Sequence, residues 1–190
     1  MKKSKAETAE TRRRIVEVAA REFRANGIHA TGLNELMAQC GLTRGGFYRH
    51  FDSKEHLVAE AFESGIATLM ADLEAAARQG DESDGFRSIV ARYVGAHHRD
   101  NIAGGCPLAG MGSELVRSDN DTRAVASQGI HAFVDMLATR KDGEHPDEAR
   151  SDAMFALAAM IGAVTLARIL VEPADSQSAL QSVKAHLDAL

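Results

Sequence analysis

The sequence predicts an all-α protein of about nine helices, with an N-terminal three-helix unit of helix-turn-helix type and a larger helical body. Three observations carry that prediction. Apolar residues recur every three or four positions along nearly the whole chain, and no strand-like alternation is sustained. Only 3 Pro occur in 190 residues, and Pro107, Pro146 and Pro173 all fall between apolar runs. Residues 31–54 are spaced as a short helix, a turn containing Gly41 and a second short helix. With 45% hydrophobic residues the chain can bury roughly 70% of its unfolded surface, which excludes a disordered tail or a disulfide scaffold.

In chain order, Ile15, Val18, Ala19 and Phe23 mark the first helix, and Gly27 is placed to end it in a left-handed conformation. Short helices follow at 33–39 and 44–49. A long helix begins at Lys54 and carries Leu57/Val58, Ala61/Phe62, Gly65/Ile66, Leu69/Met70 and Leu73, until residues 79–85 break it. Phe86, Ile89, Val90, Tyr93, Val94 and His97 then share one helix face. The 104–107 turn feeds a short helix through Leu108, Met111 and Leu115. Ile130, Phe133, Val134 and Leu137 mark the next helix, which the polar stretch 141–146 ends. A final pair spans 147–171 and 176–190, split at Pro173.

Charge divides the chain as well. The net charge of −5 combines 11 Lys and Arg against 7 Asp and Glu in residues 1–56 (+4) with 11 against 20 in the remainder (−9). A basic module joined to an acidic one is expected, with units at 1–53 and 54–190. The basic first residues lead into polar ones, unlike a signal peptide. The apolar run at 153–167 is broken by Gly162 and Thr165 and falls short of the ~20 residues a membrane span needs. Cys40 and Cys106 are far apart and form no ligand pattern, so a reducing cytoplasm without disulfide or metal is the expected setting.

The chemistry lies in residues 31–54. Thr31 and Thr43 are placed to cap the two short helices, with Leu33, Leu36, Met37 and Leu42 as apolar pins. The second helix then presents Thr43, Arg44, Gly45 and Gly46 to a major groove. The planar fork of Arg44 suits the two acceptors of a guanine edge, and two glycines let the backbone approach DNA closely. Tyr48, Arg49 and His50 offer phosphate donors, as does Lys54 at the start of the long helix. Phe47 and Phe51 should face the core. Lys2, Lys3, Lys5 and Arg12 to Arg14 form either a solvated face or a phosphate-contacting arm.

The run Gly41, Leu42, Thr43, Gly45, Phe47, Tyr48, His50, Phe51, Ser53, Lys54 and Glu55 resembles the DNA-binding signature of the TetR (tetracycline-repressor) family. That resemblance covers the first third of the chain. It implies an Ω-shaped homodimer in which three helices bind double-stranded operator DNA and the others form an effector pocket and dimer interface.

In the body, the stripe Phe155, Ala159, Gly162, Leu166 and Ile169 is expected to face a two-fold mate while Leu157, Met160, Ile161 and Val164 face the chain's own core. Leu180, Val183 and Leu187 would complete a four-helix dimer bundle. Polar groups on apolar faces are the candidates to orient an unknown small molecule: Tyr93, His97, Cys106, Gln128 and His131. Cys106, before Pro107 at a helix start, is also a candidate thiol sensor of oxidants or electrophiles. Cys40 is expected as buried packing. The long helix from Lys54 is expected to be the sole link between the two modules. No GxSxG, GxGxxG or Walker loop occurs, and the HxxxH and ExxH spacings of helical metal sites are absent. An all-helical enzyme is the remote alternative, and no cofactor is expected.

Overall fold

The structure is a computed structural model describing residues 4–79, 85–141 and 145–190. Among them are ten helices and no strand. They are α1 (Lys5–Asn26), α2 (Leu33–Gln39), α3 (Arg44–Phe47), α4 (Lys54–Gln79), α5 (Gly85–Tyr93), α6 (Ala96–Asp100), α7 (Pro107–Leu115), α8 (Asn120–Ala138), α9 (Pro146–Ile169) and α10 (Pro173–Leu187). The predicted interruptions at 79–85 and 141–146 lie largely outside the described residues.

α1 starts with a reciprocal cap: Ser4 Oγ accepts from the Glu7 amide at 3.1 Å, and Glu7 Oε2 accepts from the Ser4 amide at 2.6 Å. It ends at Gly27, whose φ of +87° only glycine adopts readily. Its apolar face packs on α2, α4 and α7, with Ile15, Ala19 and Phe23 wholly buried. α2 and α3 meet through Leu36, Met37 and Phe47, and the turn between them passes through Gly41 at φ +66°. α4 is the spine. It contacts α1, α5, α7 and α8, while α9 packs on α6, α7, α8 and α10.

The tenth helix arises where one continuous helix was expected through His97. The chain breaks after Val94, and Gly95 becomes the N-cap of the separate α6. A Cβ at Gly95 would lie 3.0 Å from the Ala91 carbonyl. The break rotates the histidines, so that His97 is exposed and His98 takes the buried position. α3 is also shorter than expected, since residues 48–50 form turns rather than helix.

α9 requires a second correction. Its 24 residues are long and apolar enough to cross a membrane by length and composition, whereas the sequence placed only 153–167 in the apolar run. One face packs inside the chain through Ala153, Leu157, Met160 and Val164. The opposite face carries Phe155 at 58%, Leu166 at 57% and Ile169 at 68% exposure. α9 is thus a two-faced helix with one face buried by its own subunit and one uncovered in the single chain.

Candidate nucleic-acid interface and body cavity

The α2–turn–α3 unit presents a small polar surface on a fixed apolar base. Phe47 and Phe51 are buried and stack with ring centroids 5.5 Å apart. Arg44, Tyr48 and Arg49 project outward from that base, and among the described residues none of their polar side-chain atoms is hydrogen-bonded or ion-paired. Their donors are free for acceptors on another molecule. Gly45 and Gly46 have no atom closer than 3.9 Å to an added Cβ, so the chain's own packing does not demand glycine there.

Other expected contacts are spent internally. Thr31 is buried and donates to the Gly27 carbonyl at 2.7 Å; Gly32 stands at the α2 N-cap instead. Thr43 does occupy the α3 N-cap position, but its exposed hydroxyl accepts no capping bond. Lys54 is half-buried, and its ammonium donates to the carbonyls of Ile28 at 2.5 Å and Thr31 at 2.8 Å. It ties the α1–α2 loop to α4 rather than reaching outward. His50 is half-buried, and its carbonyl accepts from Arg12, which also pairs with Glu60 and lies 4.2 Å over the Phe51 ring.

Arg13 pairs with Glu10 and Glu17, and Arg14 donates to the Cys40 carbonyl at 2.9 Å. Each of the Arg12 to Arg14 guanidinium groups thus has a partner within the chain, and Arg13 remains exposed. Lys5 is exposed; Lys2 and Lys3 lie outside the described residues. Cys40 is buried as expected, which pushes its thiol up.

The head is joined to the body by more than α4. Glu114, near the end of α7, accepts from the backbone amides of Ile28 at 2.7 Å and His29 at 2.9 Å, and its carboxylate lies 2.7 Å from His29 Nδ1. Burial pushes the Glu114 carboxyl up, but these donors outweigh it and leave the group below its ordinary value. Gly27 gives that carboxylate room, since a Cβ there would lie 2.9 Å from Oε2. Arg24, from α1, donates to the Ala103 carbonyl in the α6–α7 loop at 2.6 Å. The sole-link expectation overlooked these polar contacts, which join residues 79 and 86 positions apart in sequence.

The five candidate ligand contacts do not converge. Tyr93 and His97 line a cavity of about 210 Å³ between α4, α5 and α6, together with Thr68, Asp72, His98 and Asn101. Gln128 lies in a separate groove between α4 and α8, and His131 is exposed near Arg150. Cys106 is wholly buried. Its thiol is pushed up by that burial, which outweighs the Tyr93 hydroxyl and the Leu108 and Ala109 amides that favour the thiolate.

Sequence spacing missed the hinge of this cavity, which is His98. Its Nδ1 lies 2.6 Å from the Tyr93 carbonyl, and its Nε2 lies 2.8 Å from the Cys106 amide nitrogen. The amide can only donate, so Nε2 accepts and Nδ1 carries the proton. Burial depresses the imidazole to about 4, against a smaller opposing effect of the Tyr93 carbonyl. Arg168 completes the joint by donating to the carbonyls of Arg99 at 2.9 Å and His98 at 3.0 Å, at the exposed end of α6.

Of the expected interface residues on α9, Phe155, Leu166 and Ile169 are exposed in the single chain, with Ala159 and Gly162 half-buried between them. An added Cβ at Gly162 would meet nothing within 4 Å. Leu180 and Leu187 are corrections: both are buried, on the α10 face turned toward the chain's own helices. Val183 is half-buried.

Comparison with known proteins follows the same division. Residues 15–61 match the family "Bacterial regulatory proteins, tetR family". The HTH-type transcriptional regulator AcrR of Shigella flexneri is 39% identical over 97 residues, 49% of this chain and 44% of that protein. A probable acrEF/envCD operon repressor of Escherichia coli K12 is 37% identical over 59 residues, 31% of this chain and 27% of that protein. The chain thus aligns with less than half the length of either relative. A TetR-family transcriptional regulator from Cytophaga hutchinsonii has the same fold, with a TM-score of 0.81 at 22% identity over 99% of this chain and 98% of that one.

Proposed function

This chain is a TetR-family DNA-binding transcriptional regulator, and from that premise we propose that it is a cytoplasmic homodimeric repressor, released from a palindromic operator by a small-molecule effector. The observation that carries the reading is the outward group of Arg44, Tyr48 and Arg49, unengaged on a base that Phe47 and Phe51 hold rigid. Arg44 reads bases, Gly45 and Gly46 admit the DNA backbone, and Tyr48 and Arg49 meet phosphates. The units divide near residue 53, with α1 to α3 as the reading head. The word repressor in the name of the Escherichia coli relative supports the direction of regulation.

Two heads displayed by a two-fold dimer read two half-sites on one side of the duplex. The effector occupies the cavity lined by Tyr93 and His97. It favours a conformation in which Glu114 and Lys54 hold the heads at the wrong spacing for adjacent grooves. The protein binds and releases; it does not turn over a substrate. Selection of bound DNA from a random pool tests the reading: an inverted repeat is expected, and recovery of unrelated sequences alone overturns it. A reporter placed behind the selected site should be silenced by the protein, and activation would reverse the assigned direction.

Thiol sensing through Cys106 is the second reading. The Leu108 and Ala109 amides aimed at the sulfur favour it, and complete burial with a raised thiol opposes it. Cys106→Ser that still responds to an electrophile would remove it.

A further inference from the structure

Arg24 is 8% exposed, yet no ion pair reaches it among the described residues. Its Nε is satisfied by the Ala103 carbonyl, whereas Nη1 is fully buried without a hydrogen-bond partner. Burial pushes the guanidinium down from its ordinary range, and the like charge of Arg21 adds to the effect. The space it fills exists because residue 65 is glycine: a Cβ there would lie 2.2 Å from Nη1 and 3.0 Å from Pro107 Cγ. Beside it opens a crevice of about 550 Å³ between α1, α4 and the α6–α7 loop, lined by Arg21, Arg24, Ser64, Thr68 and Asn101. The one acidic residue on its wall, Glu17, is paired with Arg13.

We propose that this crevice binds a small carboxylate-bearing molecule, gripped by Arg24 and steered by the exposed Arg21 at its mouth. The Arg24 side chain lines the crevice; a buried guanidinium without a counter-charge is costly to hold, and a carboxylate seated beside it supplies the missing charge. The volume lies within the range of small-molecule sites. Ser64, Thr68 and Asn101 provide neutral polar partners for the remainder of the ligand. Because Arg24 belongs to the head and the opposite wall to the body, the occupant bridges the two. The site shares the Thr68, Asn101 and Gly104 wall with the Tyr93–His97 cavity but does not depend on an effector binding there.

Calorimetric titration of the full chain at constant ionic strength, with acetate, hexanoate, succinate and benzoate, their primary amides and inorganic phosphate, tests the proposal. At least one carboxylate should bind with Kd below about 10 mM and its amide about tenfold more weakly or not at all. Arg24→Gln should abolish that binding, Arg21→Gln should weaken it by about threefold or more, and His97→Ala should leave it unchanged. Should Arg24→Gln fail to fold, the exposed Arg21→Gln variant decides. Four results overturn the proposal: no carboxylate binds, phosphate alone binds, affinity is unchanged in either arginine variant, or His97→Ala removes it.

Discussion

A neutral His98 holds a carbonyl and an amide at once, and a second proton would make Nε2 repel the Cys106 amide it now accepts from. Its depressed value of about 4, against 6.5 when unfolded, sets the sign of the pH effect. The unfolded chain takes up the proton first as pH falls, so the contribution of His98 is complete above about pH 6.5 and is lost progressively toward pH 4. The shift corresponds to roughly 3 kcal/mol, and thermal melts between pH 7.5 and 4.5 should show a decline that His98→Asn flattens. Lys54 gives a second outcome at this scale. With its ammonium bound to Ile28 and Thr31, Lys54→Met should lower the melting temperature and leave the salt dependence of DNA binding unchanged, while Arg44→Ala should relax base preference without altering stability. Melting curves and titrations on matched and scrambled operators check both. The outward position of Arg44 was legible in the sequence because it depends on local spacing. Lys54 and His98 were not, because their partners come from another segment or from a helix break that moves the register by one position.

Among the elements, α3 is the most exposed to test. Its four residues include two glycines that the protein's own packing does not require. Gly45→Ala and Gly46→Ala should each stabilise an isolated protein by up to roughly 1 kcal/mol yet weaken operator binding, since the proposed contact brings the DNA backbone to where the added methyl stands. Denaturation and DNA titration of the same variants would refute this if both quantities rose together. Most helices were readable because a 3.6-residue period survives wherever one face is buried, as on α1, α4 and α9. The cavity was not. Gln128 and His131 lie on α8 and share its polar character with Tyr93 and His97, but their position on the helix directs them away from the α4–α5–α6 space. Periodicity fixes which residues share a face and leaves open which neighbour that face meets.

At the scale of the molecule, charge and exposure divide the labour. The basic head and acidic body keep most of the negative charge away from phosphate, so binding should weaken as salt rises and depend on orientation. The uncovered stripe of α9 supplies the remaining surface. Phe155→Glu combined with Leu166→Glu should yield monomers in analytical ultracentrifugation with the helical content intact, and an unchanged dimer would place the interface elsewhere. In the proposed homodimer that same stripe governs response to supply. There a head on a lone chain would hold one half-site, so at low copy number operator occupancy would grow with the square of chain concentration, and the hydrophobicity of Phe155, Leu166 and Ile169 would set the number of molecules a cell must make before the switch acts at all.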